Sequence, residues 1–75
     1  MFLSVTLEVV GDQRLSCEKC ERRVANLLAA LPGVRQVRAR ALDQRIHVLF
    51  DPAVLDDATL TTCLDAGGYR TRVIG

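Results

Sequence analysis

Two cysteines three positions apart are the residues of this chain best suited to chemistry. Cys17 and Cys20 enclose Glu18 and Lys19, at the point where an alternating apolar pattern gives way to a helical one. Thiolates are soft ligands, which select soft metal ions such as Cu(I), Zn(II), Cd(II) and Hg(II). The start of a helix and the positive charge of Lys19 both favour the thiolate. This spacing predicts either a metal site or a redox couple.

The other potential ligands do not complete a conventional zinc site. The chain has three cysteines and one histidine, and an odd number of cysteines argues against a disulfide scaffold. A structural zinc site normally uses four ligands, but Cys63 and His47 stand at no recognised spacing from the pair. Cys63 falls on the apolar stripe of a predicted helix, where a free cysteine acts as a small hydrophobe. We therefore predict a site that uses Cys17 and Cys20 alone.

Length and composition restrict the chain to one small domain. Its 75 residues leave room for a single hydrophobic core, and 49% of them are hydrophobic. The formal net charge of +1 favours neither nucleic acid nor an acidic partner as a general target. No apolar run approaches the roughly 20 residues that span a bilayer, and the first ten residues do not resemble a signal peptide. We therefore expect no membrane insertion and a cytoplasmic location.

Apolar periodicity predicts a strand, a helix and a hairpin in the first fifty residues. Residues 1–10 alternate as a half-buried strand does. Ser16 is the predicted N-cap of a helix, which ends at Pro32-Gly33. Alternation over residues 34–41 and 46–50 then predicts two strands, joined by a tight reversal.

The last third of the chain predicts a second helix and a short strand. Asp56 or Asp57 can cap the helix, Gly67-Gly68 ends it, and residues 69–74 form the strand. The order is therefore β-α-β-β-α-β. With right-handed crossovers it gives a four-stranded antiparallel sheet with two helices on one face. The predicted fold class is α+β, a ferredoxin-like βαββαβ sandwich.

Several basic residues are predicted to face solvent on the open side of this sheet: His47, Arg38, Arg40, Arg70 and Arg72. RNA-recognition domains share the fold, but they stack bases on aromatic residues of the sheet. This chain has only one tyrosine and two phenylalanines. We therefore expect a solvated basic face and no nucleic-acid partner.

Four short motifs together resemble the heavy-metal-associated domain family. Cys17-Glu18-Lys19-Cys20 matches the metal-binding CxxC of that family, and Leu31-Pro32-Gly33-Val34 matches its LPGV turn. Phe50-Asp51-Pro52 matches the end of its third strand, and Gly68-Tyr69 matches the GY before its last strand. Arg14-Leu15-Ser16 stands where the family usually has Gly-Met-Thr or Gly-Met-Ser. Leu15 can fill the apolar position of the methionine, because the two side chains have similar volumes.

The resemblance runs over nearly the whole chain and implies that residues 1–75 form a single heavy-metal-associated domain. It implies binding of a soft metal ion by Cys17 and Cys20, flanked by Leu15 and Ser16 and covered by Tyr69. Zinc-handling members often have an aspartate beside the CxxC. Ser16 stands in that place here, so the implied metal is Cu(I), with Zn(II), Cd(II) and Hg(II) as alternatives.

The same resemblance implies a metallochaperone or a metal transport module. Its partner would be a metal-transporting P-type ATPase or another CxxC metal-binding domain, to which the ion passes by ligand exchange. The chain would be a monomer or a metal-bridged dimer, and it would not be an enzyme. Because Met1 directly precedes the first strand, a free-standing protein is favoured, but a module of a larger transporter fits the same pattern.

Two other functions have to be weighed against metal transfer. A thiol-disulfide oxidoreductase also places CxxC between a strand and a helix. Against it, the chain is too short for a thioredoxin-like fold, and it contains no tryptophan. An RNA- or protein-interaction domain with an unused CxxC is the third alternative.

Overall fold

The computed structural model describes residues 1–75 and has the predicted order of elements. The elements are β1 (Leu3–Val9), α1 (Glu18–Ala29), β2 (Val34–Arg40), β3 (Arg45–Phe50), α2 (Asp57–Ala66) and β4 (Thr71–Val73). The strands form one sheet in the order β2-β3-β1-β4, and all neighbours in it are antiparallel. The prediction of a ferredoxin-like α+β sandwich is confirmed.

The hydrophobic core lies between the sheet and the two helices. Successive side chains of a strand point to opposite faces, so the alternation predicted for the first strand buries one face of the sheet. Twelve buried residues form a single cluster: Val5, Leu7, Val9, Leu15, Val24, Leu28, Ile46, Val48, Phe50, Leu60, Leu64 and Tyr69. Both central strands and both helices therefore contribute to one core, which also contains the leucine two positions before Cys17.

The Pro-Gly turn after α1 meets the end of β3. Gly33 has a φ of 96°, and a Cβ atom there would lie 2.4 Å from Leu55 and 2.8 Å from Val54. Only glycine combines this left-handed conformation with so close an approach. The carbonyl of Gly33 also accepts a hydrogen bond from the N–H of Asp51, at 2.8 Å. The LPGV and FDP motifs thus pack against each other at the end of α1 that lies away from the cysteines.

Helix α2 ends in a glycine turn, which brings Tyr69 into the hydrophobic core. Gly68 has a φ of 96°, its N–H bonds the carbonyl of Asp65, and the N–H of Tyr69 bonds the carbonyl of Leu64 at 2.8 Å. This pair of bonds is a Schellman motif, which satisfies carbonyls at the end of a helix. The last strand was predicted over residues 69–74, but it covers only Thr71–Val73, because Tyr69 belongs to the turn.

The open face of the sheet carries most of the basic residues predicted for it. Arg38, Arg40 and His47 line one shallow depression, and Arg72 pairs with Glu8 at 2.8 Å. The imidazole Nδ1 of His47 is hydrogen-bonded to the hydroxyl of Thr6 at 3.0 Å, and the residue is half-buried.

Arg70 lies elsewhere than predicted. It precedes β4, adjoins Gly11, and lines a depression with Asp65 of α2. Arg70 is therefore not part of the basic surface on the open face of the sheet.

Neither helix combines the length and the apolar character that crossing a bilayer requires.

Candidate metal centre

The two thiols of the CxxC lie where the chain enters α1. Cys17 is the N-cap residue, with extended φ and ψ of −162° and −178°, and Cys20 lies in the first turn. Cys17 is exposed, Cys20 is half-buried, and neither forms a disulfide. The pair therefore has an outer sulfur, which faces solvent, and an inner sulfur, which packs against the core.

The prediction that Ser16 caps α1 was wrong. The helix begins one residue later than predicted, and no side chain bonds the N–H groups of its first turn. The first N–H groups of a helix have no partner within it, and they favour negative charge nearby. The first turn of α1, which contains Cys20, therefore keeps N–H groups that no side chain caps.

The hydroxyl of Ser16 is hydrogen-bonded to the sulfur of Cys20 instead. Its oxygen lies 3.3 Å from the sulfur. Hydrogen bonds from Ser16, first from the hydroxyl and then from the backbone, lower the pKa of Cys20 from 9.0 to about 7. Burial opposes this shift, whereas smaller interactions with the Tyr69 hydroxyl and the Cys17 backbone reinforce it. Cys20 is therefore partly deprotonated near neutral pH, and the thiolate is the form that binds metal.

Tyr69 lies beside Cys20, at the position from which it is predicted to cover the sulfurs. The residue is only 1% exposed. Burial raises the pKa of its hydroxyl, and the neighbouring Cys20 raises it further. Tyr69 therefore remains protonated and can donate a hydrogen bond toward the sulfur. Its role as a cover over a bound ion stays a prediction.

Leu15 anchors the segment that precedes the cysteines. Its side chain is 3% exposed and belongs to the core cluster, which is the apolar role expected for this position. Its backbone is held by the side chain of Gln44, which accepts from the N–H of Leu15 at 2.8 Å and donates to its carbonyl at 2.7 Å.

A second contact fixes the first turn of α1. The carboxylate of Glu21, the residue after Cys20, accepts a hydrogen bond from the N–H of Ala41 at 2.6 Å. Gln44 and Glu21 are functional candidates that the sequence did not indicate. Their partners lie 29 and 20 positions away in the chain, and no local pattern reports contacts of that kind.

Basic side chains lie along the exposed face of α1, beginning between the two cysteines at Lys19. Lys19, Arg22 and Arg23 line a shallow surface along α1. Arg22 is paired with Glu18 at 3.3 Å, but both side chains are largely exposed, so this ion pair contributes little to stability. The surface along α1 therefore carries a cluster of basic side chains, although the first turn also contains Glu18 and Glu21.

Cys63 and His47, which are predicted not to bind the metal, lie away from the two thiols. The thiol of Cys63 donates to the carbonyl of Leu27 at 3.6 Å and packs between the helices. His47 lies on the open face of the sheet. No group of three or more His, Cys, Asp and Glu side chains comes together in a way that could hold a metal ion. The assignment of Cys17 and Cys20 as the two ligands stays a prediction.

Comparison with known proteins gives two relatives among metal-transporting ATPases. The chain is 32% identical over 60 residues to the cation-transporting ATPase HMA5 of Oryza sativa subsp. japonica. It is 31% identical over 56 residues to the probable copper-transporting ATPase PacS of Synechococcus elongatus. These matches cover 80% and 75% of the chain, but only 6% and 8% of the length of the relatives.

Among solved structures, oxidized MerP from Ralstonia metallidurans CH34 superposes with a TM-score of 0.88. The two chains are 27% identical, and the match covers 100% of each. No family profile matches the chain.

The fold and the site together define a class of small domain: a ferredoxin-like sandwich with two free thiols at the start of its first helix. The similarity to the two transport ATPases and to MerP supports the family that the four motifs indicate. The chain belongs to the heavy-metal-associated domain family.

Proposed function

We propose that this domain binds Cu(I) through the thiolates of Cys17 and Cys20 and passes the ion to a partner by ligand exchange. The observation that carries the proposal is the placement of two free thiols at the uncapped start of α1. The similarity of the chain to a cation-transporting and a probable copper-transporting ATPase supports the same conclusion.

The charge of the site suits a monovalent soft ion. Two thiolates around Cu(I) leave one net negative charge, which the N-terminal end of a helix offsets. Soft sulfur ligands and a low coordination number both favour Cu(I). Zn(II) normally takes four ligands, and no third His, Cys, Asp or Glu side chain joins the two thiols in a group that could hold a metal ion.

Transfer requires no oxidation or reduction in this arrangement. An incoming thiolate of the partner binds the ion first, so the ion is held by three sulfurs. The bond to one host cysteine then breaks, and that cysteine leaves as a thiolate. Because Cys17 is exposed and Cys20 is half-buried, we expect the bond to Cys17 to break first and the bond to Cys20 last.

The proposed partner is another CxxC domain, including that of a metal-transporting P-type ATPase. The proposal places the exchange in the cytoplasm, with the domain acting as a monomeric carrier or module and not as an enzyme. The support for an ATPase partner is that both relatives are transport ATPases of which the chain matches a small part.

The test is a metal titration of the reduced domain without oxygen. Cu(I) is added against a competing chelator, and Zn(II), Cd(II) and Hg(II) are titrated in parallel. We expect tight binding of one Cu(I) per chain, loss of this binding in Cys17→Ala/Cys20→Ala, and retention in Cys63→Ala. Equal Cu(I) affinity in the double variant would refute the site. Tight Zn(II) binding with weak Cu(I) binding would refute the choice of metal.

A further inference from the structure

The turn between β2 and β3 touches the metal-binding segment, although it contains no candidate ligand. We call residues 41–44 the β2–β3 turn. Ala41 and Gln44 of this turn are bonded to Glu21 and Leu15, which flank the two cysteines on either side. The turn therefore connects the residues just outside the CxxC to the sheet.

The carboxamide of Gln44 makes three hydrogen bonds to the backbone. Its oxygen accepts from the N–H of Leu15 at 2.8 Å, and its nitrogen donates to the carbonyls of Leu15 and Ala41, each at 2.7 Å. The orientation of the amide is thus fixed, because the oxygen faces a donor and the nitrogen faces two acceptors. The side chain pairs with the backbone of Leu15 as a neighbouring strand would.

The backbone of Gln44 adopts a conformation that glutamine does not favour. Its φ is 58°, and it is the one residue other than glycine with a positive φ. Glycine and asparagine are the usual residues for this conformation in a tight turn. A strained residue of this kind persists where the surroundings hold it in place, and it often marks a functional region. Glycine would adopt this conformation without strain, but it could not make the three side-chain hydrogen bonds of Gln44.

Glu21 adds a second attachment on the far side of the cysteines. Its bond to the N–H of Ala41 measures 2.6 Å. Leu15 lies two residues before Cys17, and Glu21 lies one residue after Cys20. The β2–β3 turn thus holds the backbone on both sides of the thiol pair.

We propose that Gln44 is a positioning residue of the metal site. By fixing the backbone of Leu15, it keeps the two sulfurs in the arrangement that retains the ion, without contacting the ion itself. Loss of the Gln44 side chain frees the segment before Cys17, so the distance between the sulfurs fluctuates and the ion leaves faster. This inference rests on the proposed function of the two cysteines.

The test compares three variants of the complete domain. Gln44→Gly removes the side chain and relieves the strained φ, so the fold is not penalised for the conformation. Gln44→Glu keeps the length but cannot donate to the two carbonyls. Leu42→Gly is the matched control, since Leu42 lies in the same turn, is 88% exposed and has no hydrogen-bonding side chain.

Two rates are measured for each variant: loss of Cu(I) to a chelator, and hydrogen exchange of the Leu15 amide. We expect both rates to rise about tenfold in Gln44→Gly, the effect of losing hydrogen bonds of ordinary strength, and to rise in Gln44→Glu as well. The urea midpoint of the metal-free domain should change little. Leu42→Gly should leave both rates unchanged.

Three results would overturn the inference, and they are distinguishable. If the unaltered domain binds Cu(I) and Gln44→Gly loses it no more than twofold faster, Gln44 does not position the site. If Leu42→Gly has the same effect as Gln44→Gly, the turn acts only through general stability. If the unaltered domain binds no metal, the proposed function fails as well, and Leu15 exchange then shows separately whether the contact itself exists.

Discussion

The hydroxyl oxygen of Ser16 lies 3.3 Å from the sulfur of Cys20, four residues further along the chain. Ser16 can reach this sulfur because the next residue, Cys17, is the N-cap of α1, and the Ser16 hydroxyl is not engaged as a cap. Ser16, which the local sequence predicts as a helix cap, therefore stabilises the thiolate of Cys20 instead. Of the interactions that lower the pKa of Cys20, the hydrogen bond from the Ser16 hydroxyl is the largest.

Removing this hydroxyl should make Cys20 a weaker acid. In Ser16→Ala we expect the pKa of Cys20 to rise from about 7 toward 9.0. The pKa is measured from the ultraviolet absorbance of the thiolate in a Cys17→Ala/Cys63→Ala background, where Cys20 is the only thiol. Ser16→Thr retains the hydroxyl and serves as the control. An unchanged pKa in Ser16→Ala would show that Ser16 has no such role.

The stability of the metal-free domain should depend on pH through the same group. The pKa of Cys20 in the folded chain, about 7, is lower than its ordinary value of 9.0. Its contribution to stability is therefore complete above pH 9.0, declines as the pH falls, and is lost below about 7. Urea midpoints measured across this range should rise with pH, and the rise should be smaller in Cys20→Ala. An equal rise in that variant would attribute the effect to other groups.

Two substitutions at Tyr69 should separate its packing role from its hydrogen-bonding role. Truncation to alanine removes a large side chain that is 1% exposed, so Tyr69→Ala should destabilise the fold by about 3–5 kcal/mol. Tyr69→Phe keeps the ring and should change stability far less. Because the hydroxyl favours the Cys20 thiolate, Tyr69→Phe should still raise the pKa of Cys20, by less than Ser16→Ala does. Urea unfolding and thiolate titration provide the two measurements, and equal stability of both variants would contradict the packing role.

The basic surface along α1 should guide encounters with an acidic partner. Reversing two charges beside the site, in Arg22→Glu/Arg23→Glu, should slow Cu(I) transfer to a CxxC domain with an acidic surface. The difference should shrink as salt is added, because salt screens exposed charges. Arg38→Glu/Arg40→Glu makes the same change in net charge on the open face of the sheet. Equal slowing by both pairs would show that only the net charge matters.

The sequence predicted the features that depend on neighbouring residues. Strand alternation indicated which face of β1 is buried, and Gly68 indicated where α2 ends, because each of these signals is local. The same reasoning failed at Ser16. A serine before a helix has the properties of an N-cap, but here Cys17 is the N-cap residue, and the Ser16 hydroxyl is hydrogen-bonded to the sulfur of Cys20, four residues further along the chain.

Gln44 shows why part of the site could not be predicted. Its neighbours in the chain indicate only a tight reversal, and glutamine is not a residue that marks a left-handed turn. Its contact with Leu15 exists because the sheet brings β1, β3 and the turn together, as the bond from the N–H of Val9 to the carbonyl of Gln44 shows. Such a contact follows from the assembled fold and not from residue types.

The packing of Gly33 against Val54 and Leu55 bears on how relatives of this domain can be recognised. Two of the four motifs, LPGV and FDP, meet at the end of α1 remote from the cysteines, where they close the sandwich. Selection for a foldable scaffold would preserve both motifs even in a descendant that had lost its thiols. The two motifs therefore report on the scaffold, whereas the proposed metal binding depends on the cysteine pair.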